Sequence, residues 1–118
     1  MRFLAMYTPD KSRAGVPPTK EHMEQMGRFV EEMMKSGALI TTGGLLPASQ
    51  GFRVKSSGGK VTVTDGPFTE AKEAVGGFAI LEARSKDDVI EMSRRFLKVA
   101  GDGESELRQI MDAPPEAR

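Results

Sequence analysis

The stretch Val63-Thr64-Asp65-Gly66-Pro67-Phe68-Thr69-Glu70-Ala71-Lys72 constrains the fold more than any other part of the chain. It begins with β-branched apolar and polar residues in alternation, as a half-buried strand does, and then stops abruptly. Asp65 has a short carboxylate that can accept from backbone N–H groups two or three residues on. Gly66 supplies backbone freedom, and Pro67 fixes φ near about −65° while steering Gly66 out of the helical region. The chain must turn here. Phe68, the one large apolar side chain of the corner, is expected to anchor the loop in the core, with Thr69 capping a helical turn from Glu70 to Ala74. A second strand then starts near Val75.

The flanking segments supply the remaining elements. Arg2 to Thr8 is short, apolar and aromatic, and ends at Pro9-Asp10, which predicts a strand followed by a loop. Thr19 is placed to cap a helix reaching Ser36. Met23, Met26, Val30, Met33 and Met34 recur at helical spacing, and Gly37 stops it. Methionine is a flexible filler that suits an adaptable pocket, but at this spacing it reads first as core. Ala38 to Leu46 alternates weakly, and its Gly43-Gly44 pair suggests a bulge or a close backbone approach. Gly51 to Lys55 and Lys60 to Thr64 flank Ser56-Ser57-Gly58-Gly59, which reads as a hairpin with a four-residue loop. Gly76 to Ala83 is almost continuously apolar and is the expected central strand. Ser85 caps a second helix with Val89, Met92, Phe96 and Leu97 inward, Lys86, Asp87, Glu91, Arg94 and Lys98 in water, and Gly101 at its end. Ser105 to Met111 alternates as a last strand.

The order is strand, helix, strand, inserted hairpin, strand, helix, strand, which is the α+β ferredoxin-like (split βαβ) plan with an extra hairpin. Two helices cover one face of such a sheet. Leaving the other face wet is unfavourable by about 25 cal/mol per Å² of apolar area, so a homodimer packed face to face is the expected solution. The hairpin is long enough to contribute to that contact. Residues 1–112 read as a single domain and residues 113–118, with Pro114-Pro115, as a flexible C-terminal tail.

The run from Gly59 to Glu73, with Asp65-Gly66-Pro67-Phe68 at its centre and Gly76-Gly77-Phe78 after it, resembles the signature of the YCII-related proteins of the DGPF type. The strand Arg2 to Tyr7, the segment Gly43-Gly44-Leu45-Leu46-Pro47 and the end from Glu104 to Met111 also fall where that family has them. The resemblance implies a ferredoxin-like domain that pairs into a dimeric α/β barrel. It also implies a histidine and aspartate pair beside the first helix in some members, but the matching positions here hold Met26 and Lys35, and His22 lies about one turn away. A third implication is a sigma factor as a regulatory partner.

Composition narrows the chemistry. Seventeen basic and seventeen acidic residues cancel, so no charge footprint for nucleic acid or an anionic membrane is expected. With no cysteine and a single histidine, neither a thiolate site nor a multi-histidine metal site is expected, and no cofactor is called for. No run of about 18 apolar residues occurs, and the apolar start is too short for a signal-peptide core, so a cytoplasmic location is expected. His22 is the one side chain that ordinarily titrates near neutrality and is the default general base, with Asp65 as a possible acidic partner. Tyr7, Met26, Arg53, Phe68 and Lys72 are the candidate ligand contacts. Tyr7 suits a pocket rim, and Arg53 and Lys72 suit an acidic ligand near the corner. Three functions follow as expectations: a homodimer holding a small organic molecule between sheet, first helix and corner; a cofactor-independent isomerase or lyase using His22 and Asp65; and a regulatory module.

Overall fold

The computed structural model describes residues 1–13, 16–66 and 75–112. Strand β1 (Arg2–Pro9) leads through a short 3-10 turn to helix α1 (Lys20–Lys35), then strand β2 (Leu39–Gly44). The hairpin of β3 (Phe52–Ser57) and β4 (Lys60–Asp65) follows, then β5 (Gly77–Glu82), α2 (Lys86–Ala100) and β6 (Gly103–Gln109). The four long-range strands form one antiparallel sheet in the order β2-β5-β1-β6, and β3-β4 stand apart as a two-stranded sheet. This is the ferredoxin-like strand order, an α+β arrangement with β1 and β5 in the centre.

Each helix begins and ends where its sequence dictates. The Thr19 hydroxyl accepts from the His22 N–H at 3.0 Å, and the Ser85 hydroxyl accepts from the Asp88 N–H at 3.1 Å, so both first turns are capped. At the far ends, Gly37 and Gly101 take φ of 81° and 91°, which terminates each helix in a conformation that side chains disfavour. The core is the cluster Phe3, Met33, Leu39, Leu81, Ala83 and Val89 between the helices and one face of the sheet. Leu4, Met6, Phe78 and Ile80 alternate onto the face without helices, where each is half-buried.

Several local expectations are corrected. Gly58 and Gly59 adopt φ of 59° and 80°, a two-residue turn whose twist matches the ladder, so Ser56 and Ser57 join the strand instead of a four-residue loop. The irregularity in β2 falls between Leu39 and Thr41, not at the glycines; at Gly43 it is the Phe78 ring that packs close, 3.0 Å from where a Cβ would sit. Met33 is buried and Met26 and Val30 are half-buried, but Met23 and Met34 are exposed, so the apolar stripe of α1 is wider than its contact with the sheet. The Phe68 anchor, Lys72, the helical turn from Glu70 to Ala74 and the tail at 113–118 lie outside the described residues.

Candidate functional site

The side chains that the sheet turns toward the helices are all large at one end and mostly small beyond it. Register aligns Phe3, Leu81 and Leu39 across three strands at one end, then Ala5, Ala79 and Thr42, then Tyr7, Gly77 and Gly44. The large first row meets Met33 and Val89 and closes the core. The alanines of the second row and the glycines of the third border open space beneath the first half of α1, while Tyr7 packs against Phe96, and Gly27 on that helix has nothing within 4 Å of where its Cβ would sit. A cleft of about 700 Å³ results, within the range of roughly 300–1,000 Å³ for small-molecule sites.

The cleft is lined mostly by apolar groups, including Met23, Met26, Phe29, Val30, Met92 and Phe96. Phe96 is held in place by Tyr7, with ring centroids 5.2 Å apart at 85°, and lies 6.4 Å from Phe29. No Asp, Glu, Lys or Arg lines it among the described residues. Polar atoms are few. The Tyr7 hydroxyl donates to the Asp102 carbonyl at 3.1 Å, that of Thr42 to the Phe78 carbonyl at 2.9 Å and that of Ser93 to the Val89 carbonyl at 2.9 Å. The Thr42 and Ser93 hydroxyls can also accept a hydrogen bond. The half-buried His22 lines the cleft from the first turn of α1, and its imidazole makes no hydrogen bond among the described residues.

A smaller cavity of about 310 Å³ lies where the end of α1 meets the start of α2. Three of its four charged side chains are engaged: Asp88 accepts from the Arg84 backbone N–H at 2.9 Å, Glu91 pairs with Arg94 at 3.2 Å, and Arg95 pairs with Glu32 at 2.8 Å while lying over the Phe29 ring. The larger cleft is therefore the candidate site.

The sequence profile of the YCII-related domain matches residues 1–114. The chain belongs to the YCII-related family. A relative 28% identical over 72 residues is the uncharacterized protein R00369 of Rhizobium meliloti (strain 1021); the match spans 61% of this chain and 58% of that protein. Among solved structures, a similar one is 5-chloro-2-hydroxyhydroquinone dehydrochlorinase (TftG) from Burkholderia phenoliruptrix AC1100 in complex with 2,5-dihydroxybenzoquinone. It superposes with a TM-score of 0.54 over 96% of both chains at 16% identity, a likeness of fold.

Within this YCII-related domain, Tyr7, His22 and Met26 are brought together as lining of the cleft. Arg53 and Asp65 are elsewhere, exposed on β3 and β4, and neither lines it. Val30 and Phe96, whose helical spacing reads as core, and Phe29 and Ser105, which no sequence signal marks, also line the cleft. The signal that marks the site is the row of small residues Ala5, Ala79 and Gly77, which becomes meaningful only once the register is known. Among the described residues, no helix is long and apolar enough to cross a membrane.

Proposed function

We propose that the cleft beneath α1 binds a small, planar, largely apolar molecule carrying one or two hydroxyl or carbonyl groups, with His22 meeting the polar end. The observation that carries this reading is a cavity of about 700 Å³ lined by methionines and aromatics, with an imidazole that has no protein partner among the described residues. With no Asp, Glu, Lys or Arg in its lining among the described residues, such a cavity would disfavour a multiply charged guest. A hydroxylated ring fits it. Thioether and aromatic walls suit a flat π-system, while His22 and the hydroxyls of Tyr7 and Ser105 offer hydrogen bonds. The fold likeness to a protein solved with 2,5-dihydroxybenzoquinone makes hydroxyquinones and hydroquinones the first probes.

Catalysis is the second reading, supported by the position of His22 in the cleft and by the dehydrochlorinase activity named for the protein of similar fold. The reaction would be a cofactor-independent isomerase- or lyase-type proton transfer with His22 as base. Asp65, on the hairpin, does not line the cleft, so this reading rests on His22. Two copies are proposed to pair through the helix-free face of the sheet around Leu4, Met6, Phe78 and Ile80, as a dimeric α/β barrel requires.

A thermal-shift and calorimetric series with hydroxyquinones, hydroquinones and aliphatic carboxylates tests the binding reading. A ring compound at one hundred times its Kd is expected to stabilise the protein by about 2.7 kcal/mol and raise Tm by several degrees. Absence of a rise with any ring compound, or an equal rise in a Gly27→Leu variant that fills the cleft, would overturn it.

A further inference from the structure

The cleft is walled by the most oxidisable side chains in the chain. The sequence has no cysteine and eight methionines, so thioethers are its only sulfur. Four of the methionines, Met23, Met26, Met33 and Met92, line this one cavity. Their access to water is graded. Met23 is 57% exposed, Met26 and Met92 are half-buried, and Met33, in the core cluster, is 4% exposed. An oxidant arriving from water meets Met23 first and Met33 last.

Methionine sulfoxide reverses what this lining offers a guest. The thioether is apolar and adaptable, whereas the sulfoxide is polar and presents a hydrogen-bond acceptor. Met26 follows His22 by four residues on α1, so the two side chains are neighbours on one helix face, and both line the cleft. A sulfoxide oxygen on Met26 can accept from the His22 ring N–H, the group that the proposed function assigns to the guest. A sulfoxide on Met23 holds water at the exposed edge of the cavity. Neither residue belongs to the buried cluster, so the lining changes polarity while the core stays intact.

We propose that Met23 and Met26 form a reversible oxidation switch that closes the cleft to apolar ring compounds. The thioether sulfur attacks one oxygen of hydrogen peroxide, and an S–O bond forms as the O–O bond breaks. The sulfur is oxidised by two electrons. The other oxygen leaves as hydroxide and takes up the proton of the transferred one, giving water. A methionine sulfoxide reductase, with a thiol as reductant, restores the thioether. The inference rests on the reading of the cleft as a ring-binding site. Met34 is an internal control, since it lies on the same helix, is 48% exposed and does not line the cleft.

Limited hydrogen peroxide treatment of the intact chain tests the switch, with peptide mass mapping and, once the peroxide is removed, calorimetry with 4-hydroxyacetophenone. Met23 and Met34 are expected to oxidise at comparable rates, with Met33 far behind. Saturating 4-hydroxyacetophenone should slow oxidation of Met23 and leave that of Met34 unchanged. Affinity should fall by about 10-fold or more as Met23 and Met26 are oxidised, because the guest then meets an unmatched polar group, and should return after treatment with sulfoxide reductases for both epimers. In a Met23→Leu/Met26→Leu variant, which keeps apolar volume, the same treatment should change affinity by less than about twofold from the variant's own untreated value. Equal affinity before and after oxidation of Met23 and Met26, or an equal loss in the leucine variant, would overturn the switch and leave the binding reading standing. A native chain that binds no ring compound before treatment would overturn both.

Discussion

Tyr7 occupies the space that a side chain on Gly103 would need. A Cβ at that position would lie 2.7 Å from both Cε1 and the hydroxyl oxygen of Tyr7, and 2.6 Å from the Thr8 carbonyl oxygen. The tyrosine is thus pressed between β6 and Phe96, with its hydroxyl tied to the end of α2 through Asp102. Gly103→Ala is expected to destabilise the domain by about 1–3 kcal/mol, because the backbone oxygen cannot move without breaking the β1–β6 pairing. Tyr7→Phe, which keeps the ring and loses one hydrogen bond, should lose about 1 kcal/mol. Urea denaturation of both variants checks the order.

Gly27 is a helix-interior glycine with open space beside it, so its substitution should have the opposite sign. Gly27→Ala is expected to stabilise by about 0.5–1 kcal/mol, the helix-propensity difference, and to leave ring-compound binding in place. A fall in the denaturation midpoint would show that the space beside α1 is filled in solution.

His22→Gln separates binding from folding. The capping contact at this position uses the backbone N–H, which the substitution keeps, so stability should change by no more than about 0.5 kcal/mol. Affinity for hydroxylated rings should fall several-fold or more, by roughly the 0.5–1.5 kcal/mol of one hydrogen bond. Calorimetry with unchanged affinity would remove His22 from the site.

Val89 is 1% exposed in the core cluster, whereas Met23 is 57% exposed at the cleft. Val89→Ala should cost roughly 2 kcal/mol by leaving a cavity, while Met23→Gln should be nearly neutral for stability and weaken ring binding. Comparable destabilisation by the two would mean that α1 packs more tightly than its geometry indicates.

Ser85 and Asp88 form a reciprocal cap at the start of α2: the hydroxyl accepts from the Asp88 N–H, and the carboxylate accepts from the Arg84 N–H. Ser85→Ala should cost about 1 kcal/mol, and the double variant with Asp88→Ala should cost less than the sum, since the two share one turn. A double-mutant cycle measures the coupling.

The elements were legible because their signals are local. Thr19 and Ser85 fix helix starts, Gly37 and Gly101 fix helix ends, and the apolar run ending at Ala83 marks a central strand. What escaped depends on partners distant in sequence. Met23 and Met34 share the helical spacing of Met33, but only Met33 belongs to the buried cluster with Phe3, Leu39 and Leu81; beside the small row, Met23 stays exposed at the cleft. Ser56 and Ser57 suit a loop by residue type, yet two consecutive positive φ values at Gly58 and Gly59 suffice to reverse the strand. Of the cleft lining, His22, Tyr7 and Met26 stand out by residue type, whereas the cleft itself arises from Ala5 facing Ala79 across β1 and β5.

The division of the sheet between the Phe3 row and the alanine row has an evolutionary corollary. Anchorage sits at one end and the open cleft at the other, so exchange of Ala5, Ala79 and Thr42 for other small or polar residues would reshape the cleft while the Phe3 row stays untouched. A lineage built on this plan can diversify its chemistry by altering a few strand positions, with tolerance for mutation concentrated where novelty is useful.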